Sequence, residues 1–591
     1  MSKKSILGSV TMVAALTVLL AACGSKSNSS SSSSSSTKQQ TFPLATTNKK
    51  AAVKGATLNI AVVDDSPFKG VFNEELYDDA YDADFMTPAA ESLFGTTSGF
   101  KFNDKGAASI KFDNDKKTAT IEIKKNVKWS DGKPVTAKDI EYAYEIVANK
   151  DTSTSRYTGS LQNIEGLSEY HDGKSKTISG VEMPDGADGQ KVILHFKQMK
   201  PGFTQSGNGY FLESAAPYHY LKSVPFKKLA SSDQVRKSPL FFGPYVMSKI
   251  VPGQSVAYTA NKYYWKGEPK TKKLTASVVS TSSIVSGLKN KKYDIAMEMP
   301  TDNYSSYKNV KGYKILGKED LSYTYIGFHV GKWDAKKGVN VMDKNAKMNN
   351  KSLRQAMSYA LNLDEINNKF YPGLRSTGTT LIPPVFKEFH DSSLKGYPLN
   401  IKKANKLLDD AGYKKGKDGY RTDPNGKKLT IRFASMAGGD SATAIAQDYI
   451  QQWKKIGLRV KLTSGRLLEF QNFYDKIQND TNDYDVFQAA WSLSSEPSPA
   501  DLFSEQAPYN FSRFVSKKHN KLIADIDSEA SLNADHRKKA FYAWQKWMMD
   551  QDYVEPVQYR TNVTPVSNRV KNFTIQWGSS PWNEVELTAK D

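Results

Sequence analysis

Ser66 and Lys69 stand at the spacing of the S-x-x-K motif, in which a serine hydroxyl is the nucleophile. The same loose pattern recurs at 130–133 and at 286–289, and no Lys-Thr-Gly triplet accompanies it. The chain also lacks the H-E-x-x-H zinc motif, the G-x-S-x-G nucleophile elbow and a phosphate-binding P-loop. We therefore predict that the protein is not an enzyme and uses no cofactor.

Side chains that could hold a metal ion are scattered. The seven histidines lie far apart, at positions 171, 195, 219, 329, 390, 519 and 536. The Asp-Asn-Asp triplet at 113–115 lacks the glycine and the distal glutamate of a calcium-binding loop. A lone histidine is more often a surface or core residue than a ligand, so we predict no metal site.

The only cysteine, Cys23, ends a short N-terminal apolar run that follows Lys3 and Lys4. A basic head, a short apolar middle and small residues at the break are typical of a secretory signal peptide. The sequence Leu-Ala-Ala-Cys at 20–23 also resembles a bacterial lipobox, in which the signal is cut before the cysteine and its thiol takes a lipid. We predict a signal peptide over 1–22 and a lipid anchor on Cys23 that holds the protein at the outer face of the cell membrane. A secreted protein with a chance cysteine is the alternative.

Residues 23–50 are poor in apolar side chains and include eight consecutive serines at 29–36. This composition predicts a flexible spacer between the anchor and the folded body. The whole chain is 39% hydrophobic and 24% charged, with a net charge of +20. Its lysines are scattered and no nucleic-acid motif is present, so we favour solubility over nucleic-acid binding as the role of this charge.

Alternating strand and helix patterns predict an α/β fold. Apolar alternation predicts a strand over 55–63, and an acidic stretch predicts a helix over 77–94. Thr136 and Asp139 have the spacing of a capping box and should open a helix over 140–149.

The segment Trp-Ser-Asp-Gly-Lys-Pro-Val-Thr-Ala-Lys-Asp at 129–139 resembles the signature of the family 5 extracellular solute-binding proteins. These are the peptide-type receptors of bacterial ABC importers, and in them this segment is structural. Further resemblances follow in the family's order at 242–245 with 261–265, 353–362, 404–412, 420–431, 452–460 and 484–491. The resemblance covers about 52–590.

The resemblance implies a two-lobed fold of the periplasmic-binding-protein type (type II), with a hinge between the lobes. The first lobe would contain 51–93, 238–327 and 558–591. A subdomain over 94–237 would be inserted into it, and the second lobe would contain 328–557.

In this family an extended peptide is held by its main chain, like an added strand. We therefore expect Gly70, Val71, Phe72 and Asn73 to form the first-lobe strand that pairs with the ligand. A loop without ligand contact is the alternative for these residues.

The second-lobe candidates are Trp491, Ser494 and Glu496. In related proteins an aspartate three or five residues after this tryptophan pairs with the ammonium terminus of the peptide. Here those positions hold Ser494 and Glu496. Glu496 can supply the carboxylate, or it can be a solvated loop residue.

The resemblance implies a monomeric, lipid-anchored receptor that captures oligopeptides and passes them to the permease and ATPase subunits of an ABC importer. Within the family the solute can instead be a signalling peptide, nickel, haem or an oligosaccharide. Two alternatives from other classes stay open: a surface enzyme that acts on wall peptides, and an adhesin that binds anionic wall polymers.

Overall fold

The computed structural model describes residues 40–439 and 441–590. The predicted signal peptide, Cys23 and the serine run lie outside these residues. We keep the names first lobe, inserted subdomain and second lobe for the ranges predicted above, whose boundaries stay predictions.

The strands of the described residues are β1 (Thr57–Val63), β2 (Gly95–Thr96), β3 (Phe102–Asn103), β4 (Ala108–Asp113), β5 (Thr118–Ile123), β6 (Val181–Glu182), β7 (Lys191–His195), β8 (Tyr245–Val251), β9 (Ser255–Ala260), β10 (Lys273–Val279), β11 (Ile295–Met297), β12 (Tyr313–Phe328), β13 (Gly331–Asp334), β14 (Val339–Met342), β15 (Arg375–Thr377), β16 (Ile431–Ala434), β17 (Val460–Leu462), β18 (Val486–Ser492), β19 (Val554–Ser567), β20 (Val570–Lys571) and β21 (Glu586–Leu587).

The α-helices of the described residues are α1 (Ala80–Met86), α2 (Ala137–Ala148), α3 (Leu167–His171), α4 (Tyr218–Leu221), α5 (Asp233–Arg236), α6 (Thr281–Lys289), α7 (Tyr304–Tyr307), α8 (Lys351–Tyr359), α9 (Leu363–Phe370), α10 (Ile401–Asp410), α11 (Ala442–Lys455), α12 (Phe470–Gln478), α13 (Ala500–Phe503), α14 (Lys517–Ile526) and α15 (Ala534–Gln551).

One large mixed sheet runs through both lobes. Its strands follow the order β17-β16-β18-β12-β19-β11-β1-β10-β9-β8, and β15 also pairs with β19. The long strands β12 and β19 are antiparallel neighbours that extend from one lobe into the other. Their pairing is irregular between the Glu319–Thr561 pair and the Tyr323–Tyr559 pair. Both strands cross a predicted boundary between the lobes, and their register changes within a few residues of that boundary, on its first-lobe side.

The inserted subdomain has its own antiparallel sheet, in the order β4-β5-β7-β6. The signature segment packs beneath it: Trp129 is 1% exposed and donates its Nε1–H to Asp139 Oδ2 at 3.0 Å. Asp139 Oδ2 also accepts the Thr136 N–H at 2.9 Å, and the predicted capping box opens α2. Because the Asp139 carboxylate joins the tryptophan to the helix start, this segment fixes a strand–turn–helix unit.

Two expectations need correction. The helix predicted over 77–94 is limited to α1, because Pro88 has no N–H with which to continue it. The spacer predicted over 23–50 does not include 40–50, since this segment is bonded to the first lobe. For example, the Gly317 N–H donates to the Pro43 carbonyl at 3.1 Å. Within residues 40–439 and 441–590, no helix has the length and apolar character needed to cross a membrane.

Candidate functional site

A cavity of about 710 Å³ lies where the two lobes and the inserted subdomain meet. The segments 98–101, 317–319, 385–389 and 576–577 line it, together with side chains of the N-terminal segment 40–44. Segment 317–319 belongs to β12, just before the irregular pairing with β19. A cavity of this volume at a lobe interface has the size and position of a ligand pocket.

Aromatic rings supply much of the apolar wall. Phe100, from the inserted subdomain, lies 5.9 Å from the Phe386 ring of the second lobe and 5.6 Å from the Trp577 ring of the first lobe (centroid to centroid). Phe100 has a φ of 66°, which is uncommon for a bulky residue, and it is 5% exposed. Packing against both lobes holds Phe100 in this backbone conformation.

A second cavity of about 350 Å³ shares Lys318, Gln576 and Trp577 with the first one. The Lys318 Nζ lies 3.6 Å from the centroid of the Trp577 ring, a cation–π arrangement. Asp84 and Glu298 also line this second cavity. The two cavities therefore adjoin each other, and together they are here called the cleft, with apolar and charged walls.

The carboxylates of the second cavity repel one another. Desolvation and the neighbouring Glu298 hold the pKa of Asp84 well above its usual range. The Glu298 side chain is exposed to the cavity but has protein on its other sides. Desolvation raises its pKa most, and the charge of Asp320 raises it further. Desolvation lowers the pKa of Lys318 despite these nearby carboxylates. The acidic groups in this part of the cleft therefore hold their protons more strongly than exposed carboxyl groups do.

The loop that follows β18 is bonded to the inserted subdomain next to Gln205, which lines the larger cavity. The Ser494 hydroxyl donates to the Gly207 carbonyl, and the Ser495 hydroxyl donates to the Ser206 carbonyl at 2.7 Å. In the opposite direction, Gln205 Nε2 donates to the Ser495 carbonyl at 2.6 Å. The second lobe and the inserted subdomain are thus joined by hydrogen bonds between two loops.

Two further polar contacts join the second lobe to the inserted subdomain and to the first lobe. The Lys101 Nζ of the inserted subdomain lies 2.9 Å from the Glu388 Oε2 of the second lobe. Arg375, from the second lobe, donates an Nη2–H to the Thr301 hydroxyl of the first lobe at 2.7 Å. The lobes are therefore in contact on several sides of the cleft, which is the arrangement that encloses a bound solute.

Glu496 is not free to meet a ligand in this structure. It is 7% exposed, and its Oε1 lies 2.5 Å from the Arg537 Nη2. Its Oε2 accepts the Ser498 N–H at 3.0 Å, and Arg537 also lies 3.4 Å from Asp527. Desolvation raises the pKa of Glu496, while Arg537 opposes this effect. Its role as the partner of a ligand ammonium stays a prediction, and the ion pair argues against it.

The predicted first-lobe strand at 70–73 is an irregular, buried segment. The Gly70 and Val71 N–H groups donate to the two oxygens of Asp82, at 2.7 and 2.9 Å. Phe72 is 1% exposed within the first-lobe core, and Asn73 Oδ1 accepts the Glu75 N–H at 3.2 Å. Two of the amides expected to bind a peptide are therefore already used, and the predicted pairing stays untested.

Trp491 lies on β18, opposite Tyr323 of β12. Its ring stacks on Phe511 with the centroids 5.2 Å apart and meets the Tyr509 ring edge-on at 5.8 Å. Among the described residues that line the two cavities, none is one of the seven predicted ligand-binding positions.

The cleft residues that the sequence reasoning missed have only weak sequence signals. Phe100 follows Gly99 in a turn-like stretch, and Trp577 precedes Gly578 near the C-terminus. Neither tryptophan nor phenylalanine indicates by itself whether it faces a core or a cleft. No group of three or more His, Cys, Asp or Glu within residues 40–439 and 441–590 is arranged to hold a metal ion.

Comparison with known proteins defines the class. The model of the bacterial extracellular solute-binding proteins, family 5 (middle region), matches residues 102–511, and the chain belongs to this family. Over 594 residues the chain is 45% identical to the oligopeptide-binding protein OppA of Lactococcus lactis subsp. lactis, covering 99% of this chain and 98% of that protein. Over 494 residues it is 26% identical to the oligopeptide-binding protein AppA of Bacillus subtilis (strain 168), covering 81% and 83%.

Solved structures agree with the fold. Lactococcal OppA complexed with an endogenous peptide in the closed conformation matches with a TM-score of 0.79 and 45% identity, covering 90% of this chain and 100% of that one. Bacillus subtilis AppA in complex with a nonapeptide matches with a TM-score of 0.68 at 23% identity, covering 91% and 100%, and this likeness shows the fold alone. The predicted family and the predicted two-lobed α/β fold are confirmed.

Proposed function

We propose that this chain captures oligopeptides in the cleft between its lobes and delivers them to a bacterial ABC importer. The observation that carries the proposal is the cavity of about 710 Å³ enclosed between the lobes, in a chain 45% identical to an oligopeptide-binding protein over almost its whole length. Its aromatic and charged walls suit a ligand that combines apolar side chains with polar main-chain groups. The proposal assigns no catalytic step to the chain.

Closure links capture to delivery. The lobes touch through hydrogen bonds between loops and an exposed ion pair, each of which contributes little by itself. A peptide that contacts both lobes adds interactions to the closed form only, so it shifts the population toward that form. We infer that the importer recognises the joint surface of the closed lobes, and that other subunits hydrolyse the ATP.

We further infer that the protein acts outside the cytoplasm as a monomer, held to the membrane by a lipid on Cys23. The family's extracellular character supports the location, and the Leu-Ala-Ala-Cys sequence at 20–23 supports the anchor. Mass spectrometry of the mature N-terminus tests the anchor. An unmodified Cys23 would overturn it.

The function is tested by purifying the full chain from cells in detergent, denaturing it and identifying the released molecules by mass spectrometry. We expect a mixture of short peptides. After refolding without ligand, a peptide at 100 times its Kd should raise the Tm by about 2 °C. A single non-peptide mass would overturn the substrate class. An empty cleft with an unchanged Tm would overturn the receptor function.

A further inference from the structure

Residues 40–48, here called the strap, lie along the first lobe as an extra extended segment. The Leu44 carbonyl accepts the Ile575 N–H at 2.9 Å, and Ala45 pairs antiparallel with Thr574. Thr46 Oγ1 also donates to the Phe573 carbonyl at 3.3 Å, but the bonds of Leu44 and Ala45 are main-chain bonds, so they do not use the side chains of these two residues. The side chains are left to face the rest of the protein and the cleft.

Phe42 fixes the strap beside the cleft. Its ring lies 6.1 Å from the Tyr304 ring, edge-on, and the adjacent Pro43 carbonyl accepts the Gly317 N–H at 3.1 Å. A Cβ at Gly317 would lie 2.6 Å from Phe42 Cγ, closer than such contacts come in proteins. The glycine on β12 therefore makes room for the Phe42 ring at the edge of the cleft.

The strap also reaches the second lobe. A Cβ at Gly373 would lie 3.1 Å from the Gln40 Cβ and Oε1, so the two residues are in close contact. Gly373 has a φ of 81°, a conformation that favours glycine. The strap thus spans the lobe junction from Gln40 to its bonds on the first lobe.

Four strap residues, Gln40, Thr41, Phe42 and Leu44, line the cavity of about 710 Å³. Leu44 is 39% exposed although it adjoins an apolar wall that contains Phe386 and Trp577. We propose that the strap is part of the ligand-binding site and that Leu44 and Phe42 form an apolar subsite for an aliphatic or aromatic side chain of the bound peptide. This inference rests on the proposed function.

The proposal predicts a change in preference rather than a general loss of binding. Removing the apolar end of a pocket residue weakens the contact with an apolar ligand group by about ten-fold or more. Leu44→Ser keeps the main-chain bond to Ile575, because that bond uses the carbonyl oxygen of residue 44. A peptide without an apolar side chain larger than alanine gains nothing from Leu44, so its affinity should not change.

The test uses the full chain in detergent and two nonapeptides, one of alanines only and one with a single central leucine. Calorimetry gives both Kd values for the unmodified chain, for Leu44→Ser and for the control Lys49→Ala. Lys49 is exposed and lies just beyond the strap, outside the cavity lining. A second variant, Gly317→Ala, displaces the Phe42 ring without changing any strap residue.

We expect the unmodified chain and Lys49→Ala to prefer the leucine peptide, and both Leu44→Ser and Gly317→Ala to lose about ten-fold of that preference. If the unmodified chain binds the peptides but both variants prefer the leucine peptide as strongly as the unmodified chain does, the strap subsite is overturned while the receptor function stands. If the unmodified chain binds neither peptide, both proposals are overturned. A preference reduced in Leu44→Ser supports the subsite even if Gly317→Ala fails to fold.

Discussion

The ion pair between Glu496 and Arg537 provides the sharpest test of the site. Both side chains are almost fully buried, with 6% and 5% of their side-chain surface exposed. In Glu496→Gln the shape of the side chain is kept, and its amide oxygen can still accept the Ser498 N–H. The negative charge is lost, so Arg537 is left with Asp527 at 3.4 Å as its carboxylate partner.

The size of the effect follows from this geometry. Removing one partner of a buried ion pair usually costs about 3–5 kcal/mol, because the remaining charge is buried without compensation. Asp527 retains part of the attraction, so we expect the lower end, about 3 kcal/mol. With the unfolding entropy of a chain of this length, that corresponds to a fall in Tm of about 2–3 °C. Peptide affinity should stay within about two-fold, because the pair lies outside the cavity lining.

The assay is thermal unfolding by calorimetry, together with peptide binding at 25 °C. The matched control is Glu584→Gln, which breaks an ion pair of similar length on the surface: Glu584 and Lys270 are 2.6 Å apart and about half exposed. Exposed pairs contribute less than about 1 kcal/mol, so this control should barely move the Tm. An unchanged Tm in Glu496→Gln combined with a large loss of peptide affinity would refute the reasoning and restore Glu496 as the ligand's anchor.

Three further predictions concern other parts of the molecule. Desolvation raises the pKa of Asp552 to about 8, so the folded chain keeps a proton that the unfolded chain releases near pH 4. The free energy of unfolding should therefore fall as the pH rises from about 4 to about 8. Residue 552 has a φ of 54°, which asparagine adopts readily, so Asp552→Asn should reduce this loss of stability and raise the Tm at pH 8. An equal loss of stability with pH in both proteins would contradict the prediction. Asp139→Ala leaves the Trp129 Nε1–H and the Thr136 N–H without their acceptor, so it should cost about 3 kcal/mol of stability. The Kd for peptide should stay the same in the refolded protein. An unchanged melting curve would be inconsistent with this prediction. Trp577→Ala should weaken peptide binding by at least about ten-fold in calorimetry, and an unaltered Kd would show that this wall of the cleft does not meet the ligand.

Local signals in the sequence predicted what depends on neighbouring residues. The capping box of Thr136 and Asp139 is made within four residues, so its spacing was enough to predict this helix, although α2 begins at Ala137 and not at the predicted residue 140. The strand predicted at 55–63 corresponds to β1, whose apolar alternation was visible in the chain. The whole-chain resemblance then supplied the two-lobed arrangement, which no local pattern contains.

The surroundings of the predicted site residues and the lining of the cleft could not be predicted, because both depend on contacts that the local sequence does not show. Glu496 pairs with a residue 41 positions away, and the amides of Gly70 and Val71 are taken by Asp82. Phe42 has few apolar neighbours in sequence, so the composition of 23–50 predicted a spacer. Its packing partners, Tyr304 and Gly317, lie more than 260 positions further along.

The irregular pairing of β12 and β19 has a consequence for the energy of opening. A continuous ladder at the lobe junction would have to lose hydrogen bonds, each contributing about 1 kcal/mol, before the lobes could separate. Between the Glu319–Thr561 and Tyr323–Tyr559 pairs that ladder is already interrupted, so a rotation there breaks no β12–β19 bond. The balance between open and closed forms then depends less on the β12–β19 pairing than on the contacts across the cleft and on the pairing of β15 with β19. A ligand needs only about 5.5 kcal/mol of differential affinity to turn a population that is 1% closed into one that is 99% closed.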